Sequence, residues 1–195
     1  DTGVILGIVD RVVANHSVDE SRVYLTGWSN GCSLSQKLAN DHSDVFAAIA
    51  CMSYYLLEDP SPDYSPIPIM EIHGLEDQII LYSNDAIHLP NMDAQKHGAI
   101  QNHQQWGNMN GCGDKAPDSN SPSVFYSVQS FTDCDNGTEV SLVTLYAADH
   151  NPYEEGHDVF PGNGGTVDTN GIAWEFLSRF SKDIDLNGTS SSTRA

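Results

Sequence analysis

Residues 22–31 read Arg22-Val23-Tyr24-Leu25-Thr26-Gly27-Trp28-Ser29-Asn30-Gly31, and this stretch decides the fold. An apolar, β-branched run leads into G-x-S-x-G. A helical pattern follows, with Leu34 and Leu38 four residues apart. Strand, tight turn and helix is the context in which this pentapeptide forms a nucleophile elbow rather than an ordinary turn. A serine at so sharp a turn sits in a strained backbone, and neighbours bulkier than glycine collide with the adjacent strand and helix. The turn lifts the hydroxyl clear of the sheet, and the following helix aims its free N–H groups at the same place.

Glycine and serine are common, so the pentapeptide needs a base and an acid elsewhere in the chain. Working outward, helical spacing of Val4, Ile5, Ile8, Val9, Val12 and Val13 predicts an amphipathic helix ahead of the elbow. Strands are expected over residues 22–26, 45–50 and 67–72, and a helix over 30–40. A proline-rich loop spans 58–68. A helix is expected over 97–109, two strands over 124–131 and 139–146 joined by a turn at Asp135-Asn136-Gly137, and a last helix over 170–183. That helix has Asp168 or Thr169 as its cap, and Ile172, Phe176 and Phe180 on its buried face. Strands alternating with helices predict a mainly parallel α/β sheet flanked by helices. Residues 1–184 read as one domain, and 185–195 as a disordered polar tail.

In such sheets the chemistry lies at the carboxyl ends of strands. Ser29 follows the first strand, His73-Gly74-Leu75-Glu76-Asp77 the third, and Ala147-Ala148-Asp149-His150 the last. The order is serine, acid, histidine. A serine hydroxyl needs a base to become a nucleophile, histidine titrates near neutrality, and a carboxylate orients the imidazole. Ser29 is therefore the candidate nucleophile, His150 the base and Asp77 its orienter. His157 is the rival base, while Glu76 and Asp149 are the rival acids. His16, His42, His88, His97 and His103 read as surface or structural residues, and His73 as a histidine packed beneath the acid loop.

Bulk properties exclude other roles. The 195 residues carry 27 acidic and 8 basic side chains, a formal charge of −19. Nucleic acid and anionic membranes both call for a basic surface. The longest apolar run, 45–52, is too short to span a bilayer. Glu154, Glu155, His157 and Asp158 read as a solvated acidic loop, so no metal and no cofactor are expected. Four cysteines and three N-x-S/T sequons, at Asn15, Asn136 and Asn187, point to an extracellular glycoprotein. Four reduced thiols in a cytosolic protein are the alternative.

With these residues in place, the chain resembles the α/β-hydrolase esterases that include feruloyl esterases and poly(3-hydroxybutyrate) depolymerases. The matching stretches are residues 19–31 (DESRVYLTGWSNG), 43–50 (SDVFAAIA), 67–77 (IPIMEIHGLED), 106–112 (WGNMNGC) and 168–176 (DTNGIAWEF). The resemblance implies carboxylic-ester hydrolysis through an acyl-enzyme on a small or polymeric ester, without cofactor. It implies the backbone N–H of Asn30 as one oxyanion donor. It places the loop carrying the second donor ahead of the helix with which this chain begins, so the chain is expected to be an N-terminally truncated piece of a longer enzyme. It also implies a Cys112–Cys134 disulfide. Cys32 and Cys51 then pair to brace the elbow, or Cys32 remains a free thiol at a helix N-terminus. Trp28 is a wall of the acyl pocket or core, and Tyr54, with Tyr55 and Tyr153, a candidate substrate contact. A non-catalytic secreted binding protein and a serine peptidase on the same fold are the competing readings.

Overall fold

A computed structural model describes residues 2–83, 98–113, 116–150, 167–183 and 191–194. Its helices are α1 (Thr2–Asn15), α2 (Asn30–Asp41), α3 (Ala99–Met109) and α4 (Thr169–Leu177). The strands of the main sheet are β1 (Tyr24–Trp28), β2 (Ala48–Met52), β3 (Ile69–Gly74), β4 (Ser119–Pro122), β5 (Tyr126–Phe131) and β6 (Val140–Leu145). Their spatial order is β1-β2-β3-β6-β5-β4. The first four in that order are parallel, and β5 and β4 extend the sheet antiparallel.

β2, β3 and β6 are buried along their whole length, and β2 accordingly reads as a continuous apolar run. Side chains alternate between two cores. Ala48, Ala50, Met52, Met70, Ile72, Val143 and Leu145 pack against Phe176 and Leu177 of α4. Ile49, Ile69 and Val140 point the other way, against Leu38 and Ala39 of α2 and Trp106 of α3. Trp106 is buried, and its indole N–H donates to Gln36 Oε1 at 2.8 Å, tying α3 to α2.

Several boundaries differ from expectation. β1 starts two residues late because Asp19 caps a short 3₁₀ turn, Glu20–Arg22, accepting from the Ser21 N–H at 3.0 Å. β2 and β3 also start and end later than the apolar runs suggest, since the parallel register sets their ends. β4 was not anticipated. It is polar, fully exposed and contains Pro122, and it holds its place as an edge strand on β5.

The last helix stops at Leu177 rather than 183. The chain turns there and runs on as β7 (Phe180–Asp183), which lets Phe180 drop fully into the core. Arg179 covers the Phe176 and Phe180 rings at 5.0 Å and pairs with Glu139 through two bonds of 2.9 and 3.1 Å. The tail expected to be disordered contains β8 (Ser191–Arg194), antiparallel to β7.

α1 forms as the spacing predicts, but only part of its apolar stripe is covered. Ile5, Leu6 and Val9 pack on the α2–α3 core, while Val4, Ile8 and Val12 are exposed. The cysteines form two disulfides, Cys32–Cys51 and Cys112–Cys134. The first fastens the start of α2 to β2 beneath the elbow.

Candidate active site

Ser29 sits between β1 and α2 with φ 53° and ψ −122°. That is a conformation L-residues avoid, at a cost of about 1–3 kcal/mol. The Ser29 N–H donates to Met52 O at 2.9 Å, and the Cys32 and Ser33 N–H groups donate back to Ser29 O at 2.8 and 3.1 Å. These bonds and the Cys32–Cys51 bridge hold the turn. Of the two flanking glycines, only Gly27 is sterically required. A Cβ there would lie 2.4 Å from the carbonyl carbon and oxygen of Gly31, whereas a Cβ on Gly31 meets nothing within 4 Å. Gly27→Ala is therefore expected to destabilise the protein by roughly 2–3 kcal/mol, a fall of about 4–12 °C in Tm. Gly31→Ala should remain near wild type. Differential scanning calorimetry on both variants checks this pair.

Asp77 and His150 meet because β3 and β6 are neighbours. The pairing continues past the strands. The Leu75 N–H donates to Leu145 O at 2.9 Å and the Glu76 N–H to Ala148 O at 3.0 Å. This stitches the acid loop to the segment ending in His150. Glu76 then faces solvent, while Asp77 is buried beside His150.

The three side chains form one chain of hydrogen bonds. His150 Nδ1 is 2.8 Å from Asp77 Oδ2, and His150 Nε2 is 2.9 Å from Ser29 Oγ. Asp77 Oδ1 accepts from the Ile79 and Ile80 N–H groups at 2.8 and 2.9 Å. Burial alone would push the Asp77 carboxyl up. Hydrogen bonds from His150, His73 and the Ile80 N–H outweigh it and hold the group well below the usual carboxylate range. The carboxylate is thus anionic wherever the protein is folded near neutrality.

Trp28 is 41 % exposed, so it is not core. Its indole N–H donates to the His150 carbonyl at 2.8 Å, and its ring lies 5.4 Å from the imidazole. β1 and β6 are three strands apart, about 14 Å at 4.8 Å per strand. Trp28 therefore fastens the far end of the histidine segment beside the serine. Asn30 is the first residue of α2, where backbone N–H groups have no intrahelical partner. Tyr54 follows β2, half-buried, and its carbonyl accepts from Gln36 Nε2 at 2.7 Å.

Other sequence candidates fall elsewhere. His103 is buried, its Nε2 3.0 Å from Val140 O, and burial drives it down to about 4 against that bond. It stays neutral and structural. His88, His97, His157, Tyr153 and the 154–158 acidic cluster lie outside the described residues. Among the described residues no group of three or more His, Cys, Asp or Glu is placed to hold a metal ion. No helix of the described residues is long and apolar enough to cross a membrane.

The family profile described as Esterase PHB depolymerase matches residues 1–133. The chain belongs to this family. It is 24% identical over 180 residues to feruloyl esterase B of Piromyces equi, covering 89% of this chain and 30% of that protein. It is 24% identical over 183 residues to the bifunctional acetylxylan esterase/xylanase XynS20E of Neocallimastix patriciarum, covering 94% of this chain and 24% of that one. A 43-residue stretch is 49% identical to poly(3-hydroxyalkanoate) depolymerase C of Paucimonas lemoignei, covering 22% of this chain and 10% of that one. The chain thus spans under a third of the length of these curated relatives. Among solved structures, an acetyl xylan esterase from Aspergillus awamori superposes with a TM-score of 0.56 at 15% identity, over 76% of this chain and 61% of its own. With the mainly parallel sheet and its flanking helices, this gives the chain the α/β-hydrolase fold.

Proposed function

We propose that this chain carries the catalytic centre of a secreted serine carboxylic-ester hydrolase acting on feruloyl, acetyl or polyester bonds. The observation that carries the proposal is the unbroken run of hydrogen bonds from Ser29 through His150 to Asp77. Family membership and the ester-hydrolysing relatives support the substrate class. Two disulfides and the sequon asparagines Asn15 and Asn136 fit an extracellular glycoprotein.

In this mechanism His150 Nε2 takes the Ser29 Oγ proton as Oγ attacks the ester carbonyl carbon. The carbonyl electrons move onto oxygen, and the Asn30 N–H donates to the resulting oxyanion. Asp77 steadies the imidazolium through Nδ1–H. The tetrahedral intermediate collapses, His150 returns its proton to the departing alkoxide, and the acyl group remains on Ser29. Water, deprotonated by His150, repeats the sequence and releases the acid.

An organophosphorus fluoride tests the proposal directly. Ser29 Oγ should bond to phosphorus with loss of fluoride, and peptide mass mapping should place the adduct on Ser29. Stoichiometric labelling elsewhere, or none under conditions that inactivate known serine esterases, removes Ser29 as nucleophile.

A further inference from the structure

β3 is flanked on both edges by β2 and β6, and its two faces lie under α4 and α3. Such a strand should be apolar, yet Glu71 and His73, two residues apart on its α3 side, are 2% and 0% exposed. Ionisable groups are costly to bury unless paired, and these two are paired throughout. Glu71 Oε1 is 2.7 Å from His73 Nδ1, and Glu71 Oε2 accepts from Asn102 Nδ2 at 2.5 Å. Asn102 Oδ1 in turn accepts from the Leu56 N–H at 2.9 Å. His73 Nε2 lies 2.7 Å from the Ile80 carbonyl oxygen and 3.3 Å from Asp77 Oδ2. A carbonyl oxygen only accepts, so Nε2 carries a hydrogen whichever of Glu71 and His73 Nδ1 holds the proton between them.

We propose that His73 is a positioning residue for Asp77: its Nε2–H, shared between the Ile80 carbonyl and Asp77 Oδ2 and braced from behind by Glu71 and Asn102, holds the Asp77 carboxylate in the orientation that serves His150. This rests on the reading of Ser29, His150 and Asp77 as a triad. Oδ2 is then shared by two imidazoles, at 2.8 Å from His150 and 3.3 Å from His73, while Oδ1 is held by two backbone N–H groups. The His73 ring has little freedom to turn. Tyr55, following β2, stacks on it with centroids 5.7 Å apart, and Tyr82 meets it edge-on at 5.8 Å. Burial raises both phenols, so each stays neutral. Among the described residues, Glu71 from β3, Asp77 from the loop after it and these two tyrosines are the titratable groups against the ring. α3 contributes the neutral Asn102. Burial disfavours a charged His73, but the Asp77 and Glu71 carboxylates outweigh it and push the ring up to about 9.

The test avoids leaving a buried carboxylate unpaired by changing Glu71 together with His73. In Glu71→Gln/His73→Leu, the loss of the N–H is expected to lower kcat for p-nitrophenyl acetate about 100-fold, the scale of a misplaced catalytic group. KM should stay within about threefold. Glu71→Gln/His73→Gln restores an N–H near the Nε2 position and should recover most of kcat. A folded Leu double variant with wild-type kcat, or a Gln double variant no better than the Leu one, overturns the proposal. Nitrogen-15 NMR of histidine-labelled wild-type protein decides independently of folding and of hydrolysis. His73 Nε2 should be protonated at every pH from 6 to 8, and a bare Nε2 overturns the proposal even if Ser29 labels as expected. Absence of Ser29-dependent hydrolysis with a protonated Nε2 would instead sink the triad reading.

Discussion

Ser29→Ala is expected to reduce kcat toward p-nitrophenyl acetate by about 10⁴-fold or more, with the fold intact. The change removes one oxygen, and its hydrogen-bond partner is His150 Nε2 at 2.9 Å. His150 remains anchored at Nδ1 by Asp77, and Trp28 still holds its carbonyl. The proposed base and its orienter therefore survive, while the proposed nucleophilic oxygen does not. Residual rate should come from the backbone donor at Asn30 acting on water attack. Steady-state kinetics beside a thermal melt checks the expectation. Equal hydrolysis by variant and wild type would falsify the assignment of Ser29.

Asp77→Asn should lower kcat by roughly 10³–10⁴-fold for a different reason. An amide cannot satisfy the groups around it. Oδ1 of Asp77 accepts from two backbone N–H groups, and Oδ2 faces the ring nitrogens of His150 and His73. If the amide oxygen keeps the backbone bonds, its NH₂ faces His150 Nδ1 and selects the tautomer whose Nε2 bears hydrogen. That imidazole cannot accept the serine proton. If the amide turns over, its NH₂ confronts the Ile79 and Ile80 N–H groups in a buried site, and both sides lose partners. The variant should also be less stable than Ser29→Ala by calorimetry. A pH–rate profile with near-normal kcat at its plateau would show that the carboxylate is dispensable.

The elbow was legible because three consecutive local signals agree: a β-branched run, a sharp turn with glycine at the close approach, and an amphipathic helix. Gly27 shows why the pattern is strict, since its missing Cβ is where Gly31 passes. Gly31 shows the limit of pattern reading, because the structure gives it no steric reason to be glycine. Element boundaries were less legible. The shift of β1 depends on an Asp19 side chain capping a turn, and the early end of α4 on Phe180 finding room in the core. β4 carries no apolar signal at all, for its pairing is with backbone alone at an edge.

By itself the amino-acid sequence determined that an alcohol, a carboxylate and an imidazole follow strands in hydrolase order, though not where each strand ends. Local propensity and the two-residue and 3.6-residue periods are short-range properties, and a linear sequence displays them. Only the tertiary structure decided that β6 inserts beside β3, which sets Asp77 against His150, and that Trp28 draws the histidine segment across to Ser29. It alone also gave a buried glutamate and histidine within an otherwise apolar strand their partners, Asn102 from α3, 31 residues on from Glu71, and Ile80 from the next turn. Strand order and the pairing of buried polar groups depend on contacts between distant segments, whose free energy exists only once the chain has closed upon itself.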